Sequence, residues 1–267
     1  MQGRVLIVAG SDSGGGAGIQ ADIKSVTALR GFAMTAVTAL TAQNTQGVFG
    51  VVGIEPAFIA EQMRVVLDDL GADAIKTGML HNSAVIEAVS DVLEERAGTL
   101  PIVVDPVMFA KGGHALLEPA AMTALRERLL PLASVVTPNI PEAEALTGMK
   151  VNGARDMADV AAALAETGAP AVLLKGGHLT GNLLCDVLYA GKEVHRWEDS
   201  RIDTPHTHGT GCTMASAIAT GLAQGMSMRD AVARSRAYVR TAILQAPGYG
   251  HGHGPLDHGH TVGKFNY

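Results

Sequence analysis

The sequence predicts an α/β protein with a central, mostly parallel sheet and helices on both of its faces. Short β-branched runs alternate with longer amphipathic stretches, which is the rhythm of βαβ units. The runs are almost continuously apolar, as strands covered on both faces must be. Each run also ends in glycine or a polar residue, and open α/β sheets bind ligands at the carboxyl ends of their strands.

The first strand is expected at residues 5–9, where five apolar residues precede Gly10. Further strands are expected at 36–42, 74–77, 102–104, 134–136 and 171–174. Helical periodicity lies between several of them. Ile59, Met63, Val66, Leu67 and Leu70 recur at steps of three and four, so they share one face. Similar patterns cover about 119–130 and 157–166. Near the C-terminal third the rhythm changes. Residues 183–189, a turn at Ala190-Gly191-Lys192, and 193–197 read as a small β-hairpin. Two long helices are expected at about 213–224 and 229–245, and the tail from Pro247 is rich in Gly and His. No linker, internal repeat or charge block divides the chain, so a single domain over 1–267 is expected.

Composition narrows the function classes. Hydrophobic residues make up 47% and charged residues 17%, which fits a packed globular enzyme and excludes a disordered chain. Aromatics are only 4%, so the core must be built from Ala, Val, Leu and Ile. The net charge of −6 suggests no basic face, and no nucleic-acid partner is expected. Two distant cysteines, Cys185 and Cys212, form no disulfide framework and suit a reducing cytosol. The chain starts almost at once with a strand, without the charged lead of a signal peptide, and no apolar run reaches membrane-spanning length. A cytoplasmic protein with no membrane contact is therefore expected.

The polar strand ends hold the candidate chemistry. In Thr207-His208-Gly209-Thr210-Gly211-Cys212-Thr213 two glycines free the backbone for a tight turn, and a helical pattern follows. N–H groups at a helix start can form an anion hole for a transferring phosphoryl group. At that position the helix dipole is expected to lower the Cys212 pKa and favour thiolate, making it a candidate general base toward a hydroxyl. A capping turn with a structural cysteine is the bland alternative. The run Gly10-Ser11-Asp12-Ser13-Gly14-Gly15-Gly16-Ala17-Gly18 allows close approach to a ligand, with Asp22 able to accept hydrogen bonds from one. It fits no G-x-G-x-x-G register, and no P-loop signature occurs anywhere, which argues against a dehydrogenase and a P-loop enzyme. Asn139 and Glu142, three apart at a helix start, can share a hydrated Mg²⁺ or simply form a capping box. Lys175 at a strand end can meet phosphate oxygens or be a surface lysine. His251, His253, His258 and His260 cluster in the tail, but their spacing fits no standard zinc pattern.

Together these motifs resemble the hydroxymethylpyrimidine/phosphomethylpyrimidine kinase family of thiamine biosynthesis, within the ribokinase-like superfamily. The resemblance is carried by residues 9–22, Thr41-Ala42-Gln43-Asn44-Thr45, Gly78-Met79-Leu80, Asp105-Pro106-Val107-Met108, Thr137-Pro138-Asn139, Lys175-Gly176-Gly177-His178 and residues 207–212. Gly252-His253-Gly254-Pro255-Leu256 also looks like that family's tail. The middle residue of Lys111-Gly112-Gly113 departs from it, since Ser is expected there.

The resemblance implies a ribokinase-like fold and a reaction with ATP and Mg²⁺. The hydroxymethyl group of 4-amino-5-hydroxymethyl-2-methylpyrimidine is phosphorylated first, then the monophosphate. It also implies the site. Asp22, Gln43, Met79 and Val107 line the pyrimidine pocket, and Gln43 can read the aminopyrimidine edge through both ends of its amide. Asn139 and Glu142 arrange the metal, with Asn139 and Lys175 near the nucleotide. Gly209, Thr210 and Gly211 form the anion hole beside Cys212. A vitamin B6 kinase of the same fold is the alternative reading. A non-catalytic binder would need none of Cys212, Lys175 and Glu142. By analogy with ribokinase-like relatives a homodimer is expected.

Overall fold

The computed structural model describes residues 2–109, 116–118 and 120–263. Lys111-Gly112-Gly113 and Pro119, both part of the sequence reading, lie outside them. The first half of the chain runs β1 (Arg4–Ala9), α1 (Gly18–Ala28), β2 (Phe32–Val37), β3 (Ala39–Asn44), β4 (Gly47–Gly53), α2 (Pro56–Asp69), β5 (Ala74–Thr77), α3 (Ser83–Arg96) and β6 (Ile102–Val104). The second half runs α4 (Ala121–Ala124), β7 (Val135–Val136), α5 (Ile140–Thr147), α6 (Met157–Ala165), β8 (Ala171–Leu174), β9 (Leu183–Ala190), β10 (Glu193–Ser200), α7 (Thr210–Ala223) and α8 (Met228–Leu244).

Among the described residues, eight strands form one sheet in the order β10-β9-β8-β7-β6-β5-β1-β2. From β2 to β8 every pairing is parallel, and β9 and β10 add to the β8 edge as an antiparallel hairpin. Alternate residues of the inner strands feed two apolar layers. Leu6, Val8, Ile75, Val104 and Val172 pack with α2, α3, α5 and α6. Val5, Ile7, Val103 and Leu173 pack with α1, α7 and α8 on the other face. This two-sided covering is what the continuous apolar runs demanded. The expected hairpin turn at Ala190-Gly191-Lys192 has positive φ at Gly191 and Lys192, the twist that a two-residue hairpin loop needs.

Two expected elements are redrawn. The run 36–42 is not one strand. The chain breaks at Thr38, whose buried hydroxyl donates to the Met79 carbonyl at 2.6 Å, and β3 and β4 then form a separate antiparallel pair over the site. β-branched composition alone could not show that the chain leaves the sheet halfway. The helix expected over 119–130 holds its α-helical form only through α4. It then widens into a π turn over Leu125–Leu129 and tightens into a 3-10 turn over Leu130–Leu132, where Pro131 has no N–H to give.

Leu6 is fully buried in the sheet's interior. Leu6→Ala is expected to cost about 2–5 kcal/mol of unfolding free energy, because the surrounding layers relax only partly. Urea denaturation followed by circular dichroism checks this, with no change in midpoint as the contrary result.

Candidate active site

A cavity of about 880 Å³ opens at the carboxyl ends of β1, β5, β6, β7 and β8. The position follows from topology, since crossover helices cover the two faces and leave only the strand ends open. The loops after those strands and the first turn of α7 supply its walls.

The glycine run after β1 is shaped by one carboxylate. Asp12, 1% exposed, accepts from the N–H groups of Gly14 (2.8 Å), Gly16 (3.0 Å) and Ala17 (2.8 Å). It also meets His208 Nε2 at 2.8 Å. Burial alone would raise its pKa, but His208 and the backbone donors outweigh burial and lower it. The loop is thus a fixed turn built on an anion. A second turn packs on it through the backbone. Gly209 has φ 81°, and a Cβ there would fall onto the Gly16 carbonyl. Only glycine satisfies both conditions.

Helix α7 begins at Thr210, three residues earlier than its apolar pattern suggested, with Gly209 as its N-cap residue. The first turn of a helix leaves its N–H groups without intrahelical acceptors. Gly211 and Cys212 stand in that turn and both line the cavity, so their N–H groups are available to an anion there. A Cβ at Gly211 would lie 3.2 Å from Lys175 Nζ, so the lysine passes close over this turn. Lys175 in turn donates to Asp105 Oδ1 at 3.0 Å, and Asp105 also accepts from the Thr137 hydroxyl at 3.2 Å. The strand end that carries Lys175 is tied down from behind. Asp186 accepts from the Gly176 N–H at 2.9 Å and from Arg236 Nε at 2.8 Å.

At the floor, where Lys76 lines the cavity, lies an ion pair that the sequence analysis did not show. Lys76 and Asp22 are both 0% exposed, and the ammonium meets the two carboxylate oxygens at 2.9 and 2.8 Å. Ser216 Oγ donates to Asp22 Oδ1 at 2.7 Å. Burial weighs most against the lysine's charge, but Asp22, with Cys212 and Asp105 adding to it, outweighs burial and holds the ammonium protonated. Asp22 was expected on the pocket wall. It is instead one layer deeper and is not among the lining residues, because its carboxylate is turned toward Lys76. The expected low thiol pKa at Cys212 is also corrected. Burial pushes it up to about 12, with Asp22 and Asp105 adding to the rise. Lys76 and the Gly18 N–H pull the other way without prevailing. Desolvation prevails over these favourable neighbours.

Asn139 and Glu142 form a capping box. Asn139 Oδ1 accepts from the Glu142 N–H at 3.0 Å, and Glu142 Oε2 accepts from the Asn139 N–H at 2.8 Å. Both residues nevertheless line the cavity. Burial pushes the Glu142 carboxyl up to about 7; Lys175 pulls it down, whereas neighbouring Asp105 pushes it further up. Two crowded carboxylates at a cavity wall suit a cation. No group of three acidic, His or Cys side chains that could hold a metal occurs among the described residues, so a Mg²⁺ here would keep mostly water and phosphate ligands.

Gln43, Met79 and Val107 line the opposite wall. The Gln43 amide lies 3.3 Å from His208 Nε2. That nitrogen is closer to Asp12, at 2.8 Å, and one ring nitrogen cannot both donate to Asp12 and accept from Gln43. The shorter contact has His208 Nε2–H donating to the Asp12 carboxylate and leaves the Gln43 NH₂ available to a ligand. The histidine tail does not converge. His253 Nδ1 lies 3.1 Å from the Pro205 carbonyl, His258 Nε2 2.9 Å from Thr213 Oγ1, and His260 Nε2 2.9 Å from the Tyr238 carbonyl. Their role is to fasten the tail across α7 and α8. Asp12, Lys76, Asp105 and His208 were not singled out from sequence. A lysine inside the apolar strand run at 74–77 was the one signal that could have found its member of that set.

The phosphomethylpyrimidine kinase family model matches residues 12–257. A hydroxymethylpyrimidine/phosphomethylpyrimidine kinase of Streptomyces coelicolor is 48% identical over 97% of this chain and 96% of its own. The thiamine biosynthesis bifunctional protein ThiED of Geobacter sulfurreducens is 52% identical over 96% of this chain, which spans 52% of that longer protein. Among solved structures, an ADP complex of Bacillus subtilis pyridoxal kinase superposes with a TM-score of 0.89 at 37% identity, covering 97% of this chain and 98% of that one. Phosphomethylpyrimidine kinase from Clostridium difficile gives 0.80 at 40% identity, covering 90% and 99%.

Gly209→Ala is expected to weaken ADP binding at least tenfold and to lower the melting temperature, since the new methyl must push the two glycine turns apart. Calorimetry and thermal melts measure both. Wild-type values would show that the turns do not depend on each other.

Proposed function

The chain belongs to the phosphomethylpyrimidine kinase family, and we propose that it transfers the γ-phosphoryl group of ATP to the hydroxymethyl oxygen of 4-amino-5-hydroxymethyl-2-methylpyrimidine, and then to the monophosphate so formed, in thiamine biosynthesis. One observation carries this reading. Gly211 and Cys212, in the first turn of α7, line the same cavity as Gln43, Met79 and Val107.

In this reading Gln43 orients the pyrimidine through its amide NH₂, with Met79 and Val107 against the ring. Lys175 and the N–H groups after Gly209 hold the transferring phosphoryl group, whose chemistry needs positioning and charge stabilisation above all. Cys212 takes the hydroxymethyl proton in the first step. In the second step the acceptor is an ionised phosphate oxygen and needs no base. Mg²⁺, held by Glu142 and Asn139 through water, would neutralise phosphate charge. One catalytic domain, a cytoplasmic location and a homodimer belong to the same reading. No helix among the described residues is long and apolar enough to cross a membrane. Leu40, Phe49 and Val52 expose an apolar patch on the β3–β4 pair, which supports self-association. Similarity to solved pyridoxal kinases favours a second reading, phosphorylation of a B6 vitamer at the same site. Product analysis after incubation with ATP, Mg²⁺ and either substrate decides between them, and turnover of neither would end both.

Two mutations follow. Cys212→Ala is expected to slow transfer to the alcohol on the order of 10²–10⁴-fold and to spare the monophosphate step. Because the thiol pKa stands near 12, the wild-type alcohol step is also expected to accelerate with pH up to 9 while the monophosphate step does not. Single-turnover transfer on each acceptor reads both, and equal slowing of the two steps would mean the cysteine only shapes the turn. Gln43→Ala is expected to cost about 0.5–1.5 kcal/mol of pyrimidine affinity with ATP affinity retained. An unchanged pyrimidine Kd would take Gln43 out of the site.

A further inference from the structure

We propose that the buried Lys76–Asp22 pair is a positioning device for Cys212, in which the Lys76 ammonium supplies the countercharge that the sulfur needs to accept a proton from a hydroxymethyl substrate. The inference rests on the kinase reading above and adds the residue that makes a buried thiol usable as a base.

Stability does not explain this lysine. It sits in a strand interior between Ile75 and Thr77, with no exposure. A buried ion pair can often be replaced by apolar side chains at no cost, so its presence is poor evidence of a structural need. Its placement is informative. Asp22 takes two of the ammonium's three donors, at 2.9 and 2.8 Å. Ser216 fixes Asp22 by a 2.7 Å hydrogen bond and stands four residues after Cys212 on α7, hence on the same side of that helix. A Cβ at Gly78 would lie 3.0 Å from Lys76 Nζ, which puts the ammonium at the mouth of the turn leading to Met79 on the cavity wall. Lys76 and Cys212 line the same cavity, and Ser216 ties the pair to α7 one turn beyond the cysteine.

The charges that act on the Cys212 sulfur come from four elements. They are Asp22 on α1, Lys76 on β5, Asp105 after β6 and Lys175 after β8. Lys175 is committed to Asp105 at 3.0 Å and to whatever phosphate it meets. Lys76 is the cation left to oppose burial, and its attraction for the sulfur outweighs the repulsion from Asp22. In the alcohol step the hydroxymethyl O–H proton passes to the Cys212 thiolate. The oxygen's electron pair forms the bond to the γ-phosphorus, and the bond from that phosphorus to the β–γ bridging oxygen breaks as ADP leaves. Lys76 keeps its three protons throughout, and Cys212 returns its proton to water afterwards.

The test removes both charges together, as Asp22→Asn with Lys76→Met, so that no unpaired buried carboxylate is left behind. Two readouts are taken. Alkylation of Cys212 by iodoacetamide between pH 7 and 9.5, scored by peptide mass spectrometry without nucleotide or pyrimidine, reports thiolate alone. Single-turnover transfer reports the alcohol and monophosphate steps separately. The expected result is alkylation slowed about tenfold at each pH, equivalent to about one pKa unit. The alcohol step should fall in parallel, with the monophosphate step changed less than about threefold. Ser216→Ala, which frees Asp22 to compete harder for the ammonium, is expected to slow alkylation in the same direction by about twofold, and it decides the matter if the double variant does not fold. Unchanged alkylation, or equal loss in the two transfer steps, overturns the proposal. Absence of pyrimidine turnover in the wild type would sink the kinase reading instead, and the alkylation comparison would still stand by itself.

Discussion

The backbone contact between Gly16 and Gly209 is the constraint on which the rest of the site depends. One glycine belongs to the turn after the first strand and the other to the turn before α7, near the far end of the chain. Any side chain at Gly209 would collide with the Gly16 carbonyl. Their approach closes the wall of the cavity, fixes where α7 begins, and so decides where the Gly211 and Cys212 N–H groups point. Asp12 makes the first turn rigid enough to serve as the mould for the second, because three N–H groups and His208 converge on one buried carboxylate.

The charges around the cavity are arranged in opposed pairs. Lys175 faces Asp105, Lys76 faces Asp22, and Arg236 faces Asp186 and Asp199. Each pair limits the desolvation cost of bringing a charge out of water. Asp186, braced by Arg236, fixes Gly176 and with it the strand end that carries Lys175. Lys175 is thus positioned through Arg236 of α8.

The β3–β4 pair completes the pocket from above. Ser13 in the glycine run donates to the Gln43 carbonyl at 2.8 Å and accepts from the Gln43 N–H at 2.8 Å. The pairing of the two strands shifts register between Ala42 and Gln43. A bulge re-aims a side chain, and here it sets Gln43 beside His208 and over the cavity. The same loop that moulds the anion site therefore also sets the residue assigned to the pyrimidine.

By itself the sequence determined the alternating strands and helices, the polar groups at the strand ends, and the motif set that marks the family. Those features are local or periodic, and they survive in one dimension. Two further decisions belonged to the tertiary structure. Whether 36–42 stays in the sheet depends on a hydrogen bond from Thr38 to Met79, a partner distant in sequence. Whether Asp22 faces ligand or lysine depends on α1 crossing beneath β5 and α7. The Cys212 thiol shows the same division. Its place at a helix start is legible in the sequence, and that predicts a lowered pKa. The desolvation that raises it instead comes from layers contributed by the whole chain. Burial is a property of the packed molecule, so the sign of that shift could be decided only there.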